Sequence, residues 1–481
     1  MLFRSYRFFT VTGGKTLNLH HILLRGGTYD GLDTEGGGAV STTGTGLTID
    51  GDFAIERSSS SVFGGAVYVK GGTAVINGKA SFSLNSAVSG SGGAIYSGGG
   101  VVVGQGSHLV LDSNGAGLNG GGIYSNSGSV TIGGSAVIST NTAKTGSGGG
   151  IYASSGVFFN DAGSSIVISS NTSMYLGGGV YSGEDIIFRG GADISGNVAS
   201  IDASSSTFHA GGGLYALRSV TFSSAGATIK LHKNSARDAG GAIYSGYGVM
   251  FSGSADITEN RVHSSSGGAI WTGGNIRFGN YEGTVNISSN VSQGGSGGAL
   301  YSENKIFFEG YVTAKGNAAL EGGSGGAFYS RTLSIRDGAE ISGNTADGKG
   351  GAVYIHHGES VFNALTRDIL FTNNTASGTK NDVNLGGNAR LILNADKGKI
   401  IFDGGLSYTS GSVNNIVEKR GGGGLYLNGI SSFQTLNILS GTTVIGAGSS
   451  FEAIDFTLVG SNTPIGTGYY EIGRASCRER V

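Results

Sequence analysis

The chain has 481 residues, of which 95 are glycine and one is proline, and its formal net charge is −2. Charged residues make up 13% and form no basic block, which argues against nucleic acid as a partner. The single cysteine excludes a disulfide framework and any cysteine-rich metal site. Glycine at this level indicates either disorder or a repeat, and here it recurs with a period.

The repeat is a Gly-Gly-small-aliphatic-aromatic motif, first complete at Gly64-Gly65-Ala66-Val67-Tyr68, with a degenerate copy at Gly37-Gly38-Ala39-Val40. Later copies follow at a spacing of about 28 residues, and the longest gap separates Tyr181 from Tyr215. The full copies end in eleven aromatic residues, here named the aromatic column: Tyr68, Tyr96, Tyr124, Tyr152, Tyr181, Tyr215, Tyr244, Trp271, Tyr301, Tyr329 and Tyr354.

Two further apolar segments follow each motif. One is often aliphatic-x-Phe, as at Val220 and Phe222, and the other places an apolar residue three before an asparagine, as at Phe82 and Asn85. Three short period-2 segments separated by Gly, Ser and Asn turns predict three strands per coil. The sequence therefore predicts an all-β, right-handed, single-stranded parallel β-helix of about eleven or more coils, continuous through 6–385 and without α-helix.

The asparagines and glycines have structural interpretations. Asparagine tolerates left-handed backbone and can hydrogen-bond locally, so a stacked asparagine column is expected to satisfy corner groups from coil to coil. Glycine allows positive φ and close backbone approach at corners. The surplus in the longest coil, 201–209, is polar and predicts a surface loop.

The motifs resemble autotransporter passengers, in particular the chlamydial polymorphic outer-membrane proteins with their GGAI and FxxN tetrapeptides. GGAI stands at Gly92-Gly93-Ala94-Ile95 and FxxN at Phe82-Ser83-Leu84-Asn85, although most other copies are relaxed. Asn381-Asp382-Val383-Asn384-Leu385 resembles the step that ends such arrays, and the segment from Lys419 to Gly429 resembles the autotransporter-associated strand, so 386–470 is expected to hold C-terminal coils.

Both ends depart from the repeat. Residues 471–481, EIGRASCRERV, resemble the translation of a DNA-sequencing adapter, and residues 1–5 resemble its partner. We expect both to be adapter-like artefacts, with a natural basic tail as the alternative. The resemblance implies that a signal peptide and a C-terminal translocator barrel lie beyond this fragment.

Catalytic and metal sites have weak support. Thr12-Gly13-Gly14-Lys15-Thr16 lacks the first glycine of a phosphate-binding loop. The adjacent pairs His20-His21 and His356-His357 point to opposite faces of probable strands. Asp193 and Asp256 fall at equivalent strand positions two coils apart, with Lys230 between them. That spacing is about 10 Å, near the upper limit for an inverting carboxylate pair, and a surface charge ladder is the simpler interpretation.

The sequence thus predicts a non-catalytic, surface-exposed adhesin or display rod, with no cofactor and no metal. A carbohydrate-active β-helix enzyme, either a polysaccharide lyase or a glycoside hydrolase, is the alternative. The candidate binding surface is the aromatic column, whose members follow inward aliphatic residues and should face outward. It is expected to stack sugars or dock a partner; the alternatives are a ladder that only stacks on itself, or tyrosines turned inward at a corner. The expected partner is a host-cell surface protein or glycan, the expected location is the bacterial surface, outer membrane or medium, and a monomer is expected.

Overall fold

Alternation of apolar and small polar residues sets the strands of this protein. A computed structural model describes residues 6–11, 15–31, 35–42, 44–200, 207–224, 226–409, 411 and 414–459. These fall into two units, Met1–Gly253 and Ser254–Val481. The described residues form β-strands joined by turns and include no helix.

In the first unit each coil contributes to four stacks of strands, all paired in parallel. The first stack carries the aromatic column and comprises Phe9–Val11, Val40–Thr42, Val67–Val69, Ile95–Ser97, Ile123–Ser125, Ile151–Ala153, Val180–Ser182, Leu214–Ala216 and Ile243–Ser245. The second comprises Lys15–Asn18, Gly46–Asp50, Thr73–Asn77, Val101–Val103, Val130–Ile132, Val157–Phe159, Ile186–Phe188, Ser219–Phe222 and Gly248–Phe251.

The third and fourth stacks of the first unit flank the asparagine corner. The third comprises Ile22–Arg25, Phe53–Glu56, Lys79–Ser83, His108–Asp112, Ser135–Ser139, Ser165–Ser169, Gly191–Ser195 and Thr228–His232. The fourth comprises Thr28–Tyr29, Ser59–Ser60, Ser86–Ala87, Gly115–Ala116, Thr142–Ala143, Thr172–Ser173, Val198–Ala199 and Ser235–Ala236.

The second unit repeats this order with longer strands in places. Its first and second stacks comprise Ile270–Thr272, Asn275–Phe278, Leu300–Phe308, Phe328–Ile335, Val353–Ile355, Gly358–Ala364, Val383–Leu385, Ala389–Ala395, Leu406–Tyr408, Ile416–Arg420, Ile430–Ile438 and Ser450–Leu458. Its third comprises Ser254–Thr258, Thr284–Ser288, Tyr311–Lys315, Ala339–Ser342, Ile369–Thr372, Ile400–Phe402, Gly424–Leu427 and Thr442–Ile445. Its fourth comprises Arg261–Val262, Val291–Ser292, Ala318–Ala319, Thr345–Ala346, Thr375–Ala376 and Thr379–Lys380, and the last two pair antiparallel.

The predicted parallel β-helix is confirmed in each unit, with one correction to the coil. Three strands per coil were expected. Coils of the first unit have four, because a two-residue strand follows each corner asparagine, whereas Leu300–Phe308 and Phe328–Ile335 of the second unit each span the first and second stacks and leave three. The second residue of the two-residue strand is small and buried, as at Ala87, Ala116 and Ala143, and a segment of two residues is too short for its alternation to be read. The coils also extend beyond the glycine motif, into 9–60 and 383–458.

Stacked side chains of one kind fill the interior. In the first unit Phe159, Phe188, Phe222 and Phe251 lie face to face, with ring centroids 4.4, 5.0 and 4.8 Å apart. All four are fully buried. Since no coil can bury its own apolar face, these columns bind one coil to the next.

The corner asparagines form the predicted ladder. Asn114 accepts at Oδ1 from the backbone N–H and the Nδ2 of Asn85, and its own Nδ2 donates to the carbonyl of Phe82 and to Asn141. Every polar atom of the amide is therefore used. The left-handed backbone was expected at the asparagine itself, but it lies one residue earlier, as at Leu84 (φ 55°) and Thr140 (φ 54°).

Three expectations fall outside the described residues. The adapter-like ends 1–5 and 471–481 lie there, as do Thr12, Gly13 and Gly14. Most of the predicted loop, 201–206, lies there as well. Of its remainder, Thr207–His209 is not in a strand, and His209 is buried with its backbone N–H donating to Asp238 Oδ2 at 2.7 Å.

Candidate binding surface along the aromatic column

The aromatic column of the first unit lies on the outer side of the first stack. Val67, Ile95 and Ile123 point inward and are at most 1% exposed, so the next residue of each strand points outward. From Tyr68 to Tyr244 successive ring centroids are 5.2, 5.2, 5.0, 4.5, 5.3 and 4.7 Å apart. The rings are nearly parallel from Tyr152 onward, with interplanar angles of 3 to 7°.

The second unit has the same arrangement. Trp271 and Tyr301 are 6.1 Å apart, Tyr301 and Tyr329 are 4.9 Å apart, and Tyr329 and Tyr354 are 5.0 Å apart, all within 7° of parallel. Beyond Tyr354 the matching residue is Asn384, and Tyr354 Oη lies 3.5 Å from Thr409 Oγ1. The aromatic column therefore ends where the glycine motif ends.

This stacking decides which atoms of the column can meet a ligand. Each interior ring has a neighbour about 5 Å away on both faces, so no sugar ring fits between them, since van der Waals contact alone needs about 3.5–4 Å on each side. What remains toward solvent is ring edges and phenol oxygens. The rings do stack on one another, and recognition by the column stays a prediction that now rests on hydroxyl groups.

Burial perturbs these phenols. Burial, together with the negative charge that neighbouring phenolates would carry, raises the pKa of Tyr124, Tyr181 and Tyr329 to about 12. The same burial raises the pKa of Tyr96, Tyr152 and Tyr215. At neutral pH these phenols are therefore uncharged hydrogen-bond donors and acceptors.

A depression opens beside the column in the second unit. It is lined by Tyr301, Ser302, Glu303, Tyr329, Arg331 and His356. Glu303, Arg331 and His356 stand two residues after the column aromatic of their coil, and they are exposed. The His356 ring also packs on Tyr329, with centroids 6.3 Å apart.

The strand register is irregular at this depression. Ser302 pairs with Ser330, but Lys305 pairs with Thr332, so one extra residue of Leu300–Phe308 faces Arg331. In some coils a serine hydroxyl closes the turn, as Ser97 Oγ does by donating toward the carbonyl of Gly100, whereas Val69, Ala153 and Ala216 stand at this position in others. Ser330 Oγ is buried and forms no such bond. β-Bulges of this kind redirect side chains and recur beside functional sites.

Sequence reasoning missed Glu303 and Arg331, and it considered His356 only as a metal ligand. A signal was present. The corresponding positions of the first unit hold Lys70, Gly98, Asn126, Ser154, Gly183, Leu217 and Gly246, whereas three successive coils here carry Glu, Arg and His. Among the described residues no group of three His, Cys, Asp or Glu side chains is placed to hold a metal ion.

The carboxylates singled out in the sequence have local partners. Asp193 pairs with Lys230 in register and lies 3.0 Å from His232 Nε2. Asp256 belongs to the second unit and accepts from Asn286 Nδ2 at 2.7 Å.

The GGAI and FxxN tetrapeptides are interior features. Phe82 is fully buried and Asn85 is 1% exposed within the ladder. Gly92 has φ +73°, and a Cβ on Gly93 would lie 2.0 Å from the carbonyl oxygen of Gly121. The tetrapeptides therefore define the coil, and the residues around them define its surface.

These features define a parallel β-helix repeat protein. Two of its segments, 79–98 in the first unit and 338–356 in the second, match the family model of the Chlamydia polymorphic membrane protein repeat. The chain thus carries the repeat of that family, as the tetrapeptides predicted. No curated protein and no solved structure matches the chain. The described residues contain no helix long and apolar enough to cross a membrane.

Proposed function

We propose that this chain is a surface-exposed autotransporter passenger that acts without catalysis, as an adhesin or display rod. The observation that carries the proposal is the repeat match in both units, on segments whose motif residues build the interior. Because inward-facing motif residues determine the coil, its outward positions are free to vary. Such positions can carry the groups that bind a partner. A bacterial cell-surface, outer-membrane or secreted location follows from the same family likeness.

The partner we propose is a protein or glycan of the host-cell surface. The outward hydroxyl row of the aromatic column supports this choice, because neutral phenol groups at intervals of about 5 Å offer hydrogen bonds without strong charge. The chain's net charge of −2 also gives no general attraction to anionic surfaces.

The test is binding of the labelled 481-residue chain to cultured epithelial cells, measured by flow cytometry. Saturable binding that unlabelled chain displaces is the expected result. The triple variant Tyr124→Phe, Tyr152→Phe, Tyr181→Phe keeps the stacked rings and removes three hydroxyls, and it should weaken binding. Tyr247→Phe, on an exposed tyrosine outside the column, is the matched control. Binding that does not saturate would contradict the adhesin proposal.

One observation favours the enzymatic alternative. Asp193, Lys230 and His232 bring an acid, a cation and a titratable ring together on the outside of one strand stack. Turnover of acidic or neutral glycans by the parent chain, lost in Asp193→Asn and in Asp256→Asn, would replace the adhesin proposal with a carbohydrate-active enzyme.

A further inference from the structure

The depression beside Tyr301 and Tyr329 combines several kinds of hydrogen-bonding group in a small space. Arg331 offers a planar fork of donors, Glu303 offers two acceptor oxygens, and His356 offers a donor and an acceptor. Two phenol edges form one wall. Within the described residues of the second unit, these are the three successive coils of the aromatic column that carry such side chains.

These charged groups are not used by the fold. Elsewhere in the second unit, exposed arginines bond to carboxylates, as Arg277 and Arg336 do to Glu309. Within the described residues, neither Arg331 nor Glu303 forms an ion pair, and each remains at the surface. A one-residue bulge in Leu300–Phe308 and a buried Ser330 hydroxyl without a hydrogen bond mark the same two coils. Bulges redirect side chains and are common beside functional sites.

We propose that this depression binds a carboxylated sugar, of the sialic or uronic acid class, at the end or side of a glycan chain. The inference deepens the proposed adhesin function and rests on it. The Arg331 guanidinium matches a carboxylate in a two-point contact. Glu303 accepts from sugar hydroxyls, and the phenol oxygens of Tyr301 and Tyr329 complete the polar wall.

The mixture of charges selects this ligand class. A bare sulfate or phosphate carries more negative charge than a single carboxylate, so Glu303 repels it more strongly, and sulfate offers that carboxylate no hydrogen-bond donor. A neutral sugar would leave the arginine without an anionic partner. A sugar acid carries one carboxylate and several hydroxyls on one rigid ring, so it uses both charges of the site. Stacking on aromatic faces plays no part, because both faces of Tyr329 are covered by Tyr301 and Tyr354.

The test is binding of the full chain to sialyl- and glucuronyl-oligosaccharides, with their neutral counterparts and inorganic sulfate as comparisons, by saturation-transfer NMR and calorimetry. Arg331→Ala should weaken binding about ten- to a hundredfold, as expected for the loss of a charge-assisted contact. Arg331→Lys keeps the charge without the fork and should retain part of the affinity. Lys70→Ala removes a cation at the corresponding position of the first unit, beside Tyr68, and should change nothing. Melting temperatures of all variants establish that each is folded.

Other outcomes separate this inference from the adhesin proposal. A chain that binds cells saturably but binds no acidic oligosaccharide overturns the sugar site and leaves the adhesin. Three other results also overturn it: equal affinity for acidic and neutral sugars, binding of sulfate but not of acidic sugars, and an Arg331→Ala variant whose affinity is unchanged. If the chain binds acidic sugars through Arg331 but does not adhere to cells, the sugar site is supported and the adhesin proposal is contradicted.

Discussion

Asn374 donates from Nδ2 to Oδ1 of Asp382 at 2.8 Å, and this bond ends the asparagine ladder of the second unit. Asp382 also accepts the backbone N–H of Gly404 at Oδ2, at 2.7 Å. A carboxylate accepts at both oxygens, whereas an asparagine here would turn its amide donors toward one of these N–H groups. The change from Asn to Asp at this level therefore matches the end of the repeat, where no further asparagine follows.

Asp382 should make stability depend on pH. Both hydrogen bonds favour the carboxylate, but complete burial outweighs them and raises its pKa to about 7. The folded chain then keeps a proton that the unfolded chain, with an ordinary value near 4, has released. The stability that this group contributes is fully present below about pH 4 and is lost as pH rises through about 7, by at most about 4 kcal/mol. Urea unfolding midpoints between pH 4 and 8 measure this, and Asp382→Asn should flatten the slope. A free energy of unfolding that rises with pH over this range would show that the two hydrogen bonds outweigh burial.

Removing one asparagine from the middle of the ladder should be severe. Asn141 donates to the carbonyl of Leu111 and to Asn171, and it accepts two bonds from Asn114. Asn141→Ala leaves these buried partners unsatisfied, which predicts a loss of about 3 kcal/mol or more in the free energy of unfolding. Asn126→Ala, on an exposed asparagine whose side chain accepts from the Tyr124 hydroxyl, should cost less than about 0.5 kcal/mol. Equal losses would mean that the ladder contributes little.

The left-handed residues before the ladder offer a stabilising substitution. Leu84 has φ 55° and is 46% exposed, so its side chain strains the backbone and gains little burial. Leu84→Gly should raise the free energy of unfolding by about 1 kcal/mol, because glycine adopts this conformation without strain. Leu118 is similarly exposed, at 43%, but does not have positive φ, so Leu118→Gly should lower stability by a similar amount. The opposite sign for Leu84→Gly in chemical denaturation would contradict the strain argument.

The parts of this fold that follow from sequence are those that repeat. The positions of Val67, Ile95 and Phe222 follow from alternation alone, and the ladder from the spacing of Asn85 and its successors. The two-residue fourth strand was missed because so short a segment has no periodicity. The depression at Arg331 was missed for a different reason: it depends on a one-residue change of register between two coils, which residue spacing does not reveal.

The aromatic column should resist ionisation, and its ionisation should destabilise the fold. Burial raises the pKa of Tyr124 and Tyr181 to about 12. In the unfolded chain tyrosine ionises near pH 10. Between about pH 10 and 12 the folded chain therefore holds more protons than the unfolded chain. Proton linkage therefore makes the free energy of unfolding fall as pH rises through this window, while below pH 10 the phenols contribute no slope.

Two measurements check this. The phenolate absorbance of the folded chain should rise at higher pH than that of the chain in denaturant, and urea midpoints should fall over the same range. Tyr181→Phe preserves the ring stack, so its midpoint should fall less steeply than that of the parent. Phenols that ionise at the same pH in the folded and unfolded chains would show that the column is open to water.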